Sequence, residues 1–259
     1  MAFLTPDSVY TANGLTVKQY LITEHFYKNI DLPAIRTQPL IGITIHNTKD
    51  INEARQTTDP EQYVRATVNG NMGTVRVHFY VDDDEAWQML PLNWQSWHAG
   101  QAGKADRYGS GAGNAQTISI ECIMDGSGSE KDLRAERNCA KLTAYLLKKY
   151  SMNTTEHLFT HNYWCNIRNG KVGTIDQLNK LNDGYKGCPI YIRPHWDEFV
   201  SVVNRYMADT TELVKEEPQE KYIYRVQVGA YEDRNNAVNK LKEVRKNYPD
   251  AILTKTRKA

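Results

Sequence analysis

The chain has 259 residues, 40% of them hydrophobic, and carries 32 Lys and Arg against 31 Asp and Glu for a net charge of +1. That length allows one sizeable domain and a small one, with a composition ordinary for a folded globular protein. A charge so near zero excludes a surface built for long-range attraction to nucleic acid or membrane, and no apolar run approaches transmembrane length.

In chain order, Met1 to Asp7 has neither the basic start nor the apolar core of a signal peptide, and none is expected. Residues 15–30 are expected to form a helix with Tyr20, Leu21 and Phe26 inward. Ile41, Ile43 and Ile45 then alternate with Gly42, Thr44 and His46. This is the period of a half-buried strand, and it leaves His46 on the face away from the isoleucines. Asp59-Pro60-Glu61-Gln62 predicts a helix start, with Asp59 as cap, Pro60 in the first position and Gln62 closing a capping box. That helix should end near Val68. Val75, Val77, Phe79 and Val81 alternate with Arg76, His78 and Tyr80, predicting a second strand that turns at residues 82–85 into a hairpin partner at 87–90. Residues 91–116 read as a long loop holding Trp94, Trp97 and His98, and loops this long are uncommon unless functional.

Thr117 to Cys122 predicts a third strand, with Ile118, Ile120 and Cys122 on one face and Thr117, Ser119 and Glu121 on the other. The polar strand faces thus carry His46, His78 and Glu121, which are expected to line one cleft. Ser129 caps a helix over about 130–150 whose buried stripe is Ala135, Cys139, Leu142 and Leu146. A short strand, 158–160, delivers His161. Thr174-Ile175-Asp176-Gln177 is another capping box and predicts a short helix. A last large helix is expected over 194–207, with Trp196, Phe199, Val200 and Val203 inward. Residues 209–220 are acidic, contain Pro and read as a linker. Beyond them come a strand pattern at 222–228, a helix pattern at 234–247 and a strand at 251–253. The predicted fold class is α/β, a central mixed β-sheet flanked by helices over 1–208, then a linker (209–221) and a small α+β module (222–259).

Four cysteines are present, and without a signal peptide a disulfide framework is not expected. Cys122 and Cys139 fall in apolar patterns and read as buried small hydrophobes. Imidazole and thiolate are preferred zinc ligands, and a catalytic zinc takes three protein ligands. His161 and Cys188 supply two, His46 at its strand end is the candidate third, and Cys165 is a rival to Cys188. His25, His157 and His195 have no motif around them and read as structural. Trp164 is expected to pack under the metal loop.

Three strings, I-T-I-H-N-T (43–48), T-H-N-Y-W (160–164) and K-G-C-P (186–189), stand in the order found in one family. Over roughly residues 40 to 200 the chain resembles the zinc amidases of the amidase_2 / peptidoglycan recognition protein family. The resemblance implies Zn2+ held by His46, His161 and Cys188, and hydrolysis of the amide between N-acetylmuramic acid and L-alanine. The implied partner is bacterial peptidoglycan, with no nucleic acid and no membrane. Glu121 matches the family's catalytic glutamate, and Lys186 the lysine that steadies the oxyanion. Some members place a Tyr where Val77 stands here, which leaves proton transfer to Glu121 alone. His98, in W-H-A-G, resembles a substrate-contact position, and Asn47 is a candidate for bonding the substrate peptide. Trp94 and Trp97 either stack on sugar or pack their loop. His78 either contacts substrate, orients a ligand or fills the strand face. One departure is the 27-residue step from His161 to Cys188, longer than is usual in the family.

Y-R-V-Q-V-G-A-Y (224–231) resembles the opening of a SPOR domain, a module that binds peptidoglycan glycans, but only about half the usual repeat is present. Either two copies complete it as a homodimer, or the sequence is a piece of a longer chain. Taken with the absent signal peptide, the reading is a phage-type endolysin, made in the host cytoplasm and acting on the wall after release. The rivals are a bacterial autolysin of the same chemistry, a non-catalytic peptidoglycan-binding protein, and a zinc hydrolase for another substrate, since fold alone does not fix function.

Overall fold

The computed structural model describes residues 3–25, 27, 30–48, 59–100, 111–182, 187–208, 234–244 and 246. The chain divides into two compact units, Met1–Leu213 and Val214–Ala259. In the second unit the described element is one helix, Arg234–Val244. The expected linker, both C-terminal strands and the SPOR-like string lie outside the described residues.

The first unit is built on a seven-stranded mixed sheet, with helices α1 (Pro60–Val68), α2 (Ala112–Gln116), α3 (Glu130–Lys149), α4 (Thr154–His157), α5 (His161–Arg168), α6 (Ile175–Lys180) and α7 (Trp196–Met207) among the described residues. Its strands are β1 (Ser8–Ala12), β2 (Leu15–Gln19), β3 (Gly42–Asn47), β4 (Phe79–Val81), β5 (Glu85–Gln88), β6 (Thr117–Cys122) and β7 (Leu158–Thr160). Their order is β1-β2-β5-β4-β6-β3-β7. β1 with β2 and β4 with β5 are antiparallel; the other neighbours are parallel.

Strand alternation gives the sheet two different faces. Ile43, Ile45, Phe79, Val81, Ile118 and Ile120 point to one side, where they are fully buried against α3 (Glu130–Lys149) and α7 (Trp196–Met207). Each such side chain taken from water contributes about 1.5–3 kcal/mol, so this layer is the main source of stability. α3 begins where expected: the Ser129 hydroxyl accepts from the Asp132 N–H, with acidic residues in the first turn and Lys148 and Lys149 in the last, matching the helix dipole. Cys122 and Cys139 are both buried in this core. On the opposite face, α1 (Pro60–Val68) covers Tyr80 and Trp87, while Phe159 and Trp164 pack with Ile175 and Leu178.

Two elements differ from what the sequence predicts. The helix expected over 15–30 is instead strand β2, the second arm of a hairpin. Asn13 and Gly14 form its two-residue turn with positive φ at both positions (48° and 79°), and Asn-Gly is the sequence that tolerates this best. Leu15 and Val17 are then buried at period two rather than on a helical stripe. The second difference is at α1. Asp59 caps it, but its side chain accepts from the Glu61 N–H, and Glu61 is buried, accepting from the Leu4 N–H and pairing with Arg65. Gln62 closes no box there. At α6 (Ile175–Lys180) the expected capping box of Thr174 and Gln177 is present in full.

Candidate metal centre

The strands β3, β6 and β7 run parallel, so their carboxyl ends lie together at one edge of the sheet. In open α/β sheets this edge is where ligands bind. His46 sits near the end of β3. β7 ends at Thr160, whose hydroxyl accepts from the Tyr163 N–H and so caps α5 (His161–Arg168), making His161 the first residue of that helix. Cys188 arrives on the loop after α6 and is anchored when the Asn162 N–H donates to its carbonyl at 2.7 Å.

These three elements bring three ligand atoms together. His46 Nδ1 lies 3.0 Å from His161 Nδ1 and 3.6 Å from Cys188 Sγ. His46, His161 and Cys188 form the one His/Cys/Asp/Glu group among the described residues whose ligand atoms all fall within 4.8 Å of one another. The spacing suits a tetrahedral metal ion. A tetrahedral ion with bonds of about 2.05 Å to nitrogen and about 2.3 Å to sulfur spaces its ligands roughly 3.3 Å (N to N) and roughly 3.6 Å (N to S) apart. Two imidazoles and one thiol are also the donor chemistry that zinc prefers. Cys165, the rival ligand, is excluded from this group: it is fully buried within α5, where its sulfur accepts from Arg168.

Glu121 is the direct partner of His46 in the β3–β6 register, and Tyr80 is the partner of Glu121 in β4–β6. Alternation therefore puts the Glu121 side chain on the same face of the sheet as His46, away from the isoleucine core, and it is half-buried. Lys186 lies outside the described residues.

The remaining candidates occupy several different places. His98 is 8% exposed and packs edge-to-face on His46, with its Nδ1 2.7 Å from His46 Nε2 and its Nε2 2.9 Å from the Gly113 carbonyl. Burial, reinforced by the nearby Arg36 charge and opposed by the Gly113 carbonyl, pushes its pKa down to about 3, so the ring is neutral. His78 is 0% exposed. Its ring meets the Ser119 hydroxyl and backbone N–H on one side and the Trp94 carbonyl on the other, and burial holds it neutral. It ties β4 to β6 and has no surface to offer a substrate, so among the described residues His78 does not line an open cleft with His46 and Glu121. Asn47 falls on the opposite side of β3 from His46. Its side chain donates to the Thr48 carbonyl and accepts from the Tyr191 N–H, linking β3 to the Cys188 loop. Trp94 and Trp97 are half-buried, each bridged through its backbone, Trp94 to Ile35 and Trp97 to Arg76. Trp164 packs where expected, beneath the centre, and its indole N–H donates to Thr44 Oγ1 at 2.9 Å. His25, His157 and His195 each bond to neighbours remote from the centre.

The sequence reading missed the residues that support this centre. Thr44 and Thr117 bond each other at 2.8 Å under the histidines. Their places were readable, because alternation puts both on the polar face. Asn179 gave no such signal. From α6, inside the segment between His161 and Cys188, its side chain accepts from the Thr160 N–H and donates to the Leu158 carbonyl, sealing the free edge of β7. Asn162 and Asn166 donate to carbonyls at the end of the same helix.

The family model described as N-acetylmuramoyl-L-alanine amidase (Amidase_2) matches residues 36–176, more than half of the chain and inclusive of His46, His98, Glu121 and His161. The chain belongs to the Amidase_2 family. Among relatives of this Amidase_2 chain, N-acetylmuramoyl-L-alanine amidase XlyB of Bacillus subtilis is 33% identical over 136 residues, covering 52% of this chain and 38% of XlyB. XlyA of the same organism is 28% identical over 183 residues, covering 70% of this chain and 56% of XlyA. The chain thus spans about half or less of the length of these relatives. A solved structure described as a mutant endolysin from Bacillus subtilis superposes with a TM-score of 0.51 at 25% identity, over 73% of this chain and 99% of that one. The α/β architecture of the Amidase_2 unit is thereby shared with an endolysin. No described helix is long and apolar enough to cross a membrane.

Proposed function

We propose that this protein is a zinc-dependent N-acetylmuramoyl-L-alanine amidase that cuts the bond between N-acetylmuramic acid and L-alanine in bacterial peptidoglycan. The observation that carries the reading is the convergence of His46 Nδ1, His161 Nδ1 and Cys188 Sγ within 4.8 Å at the sheet edge, beside Glu121. Zinc bound there supplies a Lewis acid that polarises the scissile carbonyl and makes water acidic near neutral pH. Glu121 takes the proton from the attacking water and returns it to the departing amine of L-alanine. Lys186, two residues before Cys188, balances the negative charge that gathers on the carbonyl oxygen. Trp94 and Trp97, half-buried on the loop before His98, are the aromatic groups we assign to the glycan.

The role we assign is that of a phage-type endolysin that reaches the wall after release from the host cytoplasm, with residues 222–259 as a SPOR-like wall-binding module able to pair with a second copy. A non-catalytic wall binder is the poorer reading, because a binder needs neither a thiol among the ligands nor a carboxylate beside them. The test is the end group released from purified muropeptides. New L-alanine amino termini without new reducing sugars support the amidase; new reducing ends replace it with a glycosidase.

A further inference from the structure

His98 stands one residue beyond the ligand set, and the hydrogen bonds around it run in a single direction. A carbonyl oxygen only accepts, so the 2.9 Å contact from His98 Nε2 to the Gly113 carbonyl places the hydrogen of His98 on Nε2. A neutral imidazole has one N–H, so Nδ1 of His98 is an acceptor. The atom 2.7 Å away, His46 Nε2, must then donate. With its hydrogen on Nε2, His46 presents a lone pair at Nδ1, the atom that faces His161 and Cys188.

The rest of the network agrees. The Trp164 indole only donates, so Thr44 Oγ1 accepts from it at 2.9 Å. Thr117 gives its one hydrogen to the Gly113 carbonyl at 2.6 Å, so Thr44 must donate to Thr117 across 2.8 Å. The Gly113 carbonyl therefore gathers donors from both sides and cannot reverse. Its position is tightly set, because a Cβ at residue 113 would come within 2.7 Å of the Ala99 side chain and 3.0 Å of Trp164. The backbone N–H groups of His98 and Ala99 both donate to Asn114 Oδ1, which fixes the base of the histidine.

We propose that His98 is a positioning residue for the metal centre: through one hydrogen bond, anchored on the Gly113 carbonyl, it selects the His46 tautomer and ring angle that make Nδ1 the ligand atom. This rests on the reading of His46, His161 and Cys188 as a metal site. It gives the W-H-A-G string a role other than substrate contact. Partners that orient a ligating histidine typically change metal affinity by roughly 10- to 100-fold when lost.

The test uses the full-length chain. Long-range proton–nitrogen NMR spectra of metal-free protein report the tautomer of His46, and chelator competition reports zinc affinity. In the wild type His46 should carry its hydrogen on Nε2. His98→Asn keeps an acceptor near the Nδ1 position and should preserve both the tautomer and the affinity. His98→Leu removes the acceptor; it should release the His46 tautomer and weaken zinc by roughly 10- to 100-fold. A wild-type His46 protonated on Nδ1 overturns the proposal, as does a folded His98→Leu protein with tautomer and affinity unchanged. If His98→Leu does not fold, the wild-type and His98→Asn spectra still decide it. A wild type that binds no zinc while His46 keeps its Nε2 hydrogen overturns the metal reading and leaves the tautomer control standing.

Discussion

His46 and Glu121 are direct partners in the parallel pairing of β3 and β6, so the imidazole of a candidate ligand and a carboxylate share one face of the sheet. Replacing Glu121 by Gln preserves shape and removes the carboxylate proposed as the base. Glu121→Gln should keep its zinc and its wall binding yet lose roughly 10²- to 10⁴-fold in kcat, the usual worth of general acid–base catalysis. Lys186→Ala should also keep zinc and lose roughly 10²- to 10³-fold. Steady-state turnover of a soluble muropeptide reads both; unchanged turnover in Glu121→Gln removes it from the mechanism.

Asn179 tests whether α6 supports the centre. It is 2% exposed and satisfies the Thr160 N–H and the Leu158 carbonyl. Asn179→Ala leaves two backbone groups without their partner, at about 1–3 kcal/mol each. Urea unfolding should show that loss, with weaker zinc binding, because Thr160 caps the helix that begins at His161. Asp176→Ala, on the exposed side of the same helix, should stay within about 0.5 kcal/mol of wild type. Equal stability of the two variants would mean that α6 is not a support.

Much of this arrangement was readable in the residues. Strict alternation from Ile41 to His46 and from Thr117 to Cys122 marked both central strands and the face each side chain takes. Two imidazoles and a thiol suggested a metal before any geometry was known. The hairpin at Asn13-Gly14 was missed although its turn dipeptide was present, because the bulky residues after it also fit a helical stripe. The depth of His98 is not readable in a linear string; the fold shows it buried against His46. Asn179 was invisible for a related reason, since its partners are on β7, about twenty residues earlier in the chain, and nothing local marks a side chain that seals a strand edge.

Asp82 gives the molecule a pH-dependent stability unrelated to the centre. Burial raises its pKa from 3.8 to about 6, against the pull of the Glu85 and Asp84 N–H groups. Between those two values the folded state holds the proton and the unfolded state releases it, so stability falls as pH rises through this window. Asp82→Asn keeps an oxygen for the two N–H donors and has no charge to bury. Its stability relative to wild type should therefore grow from pH 4 to pH 7, by up to about 3 kcal/mol. A difference that does not change with pH would contradict this.

Deletion from Asp209 onward removes the second unit and leaves all three candidate ligands. Hydrolysis of soluble muropeptides should be unaffected, while co-sedimentation with intact sacculi should weaken. Equal sedimentation of the two proteins would remove the targeting role assigned to residues 222–259.

The most direct test of the metal centre is zinc content per chain after dialysis, measured on wild type, Cys188→Ser and Cys165→Ser side by side. The geometry predicts about one zinc in the wild type and in Cys165→Ser, and a marked loss in Cys188→Ser. Full zinc in Cys188→Ser, with loss in Cys165→Ser, would contradict the account.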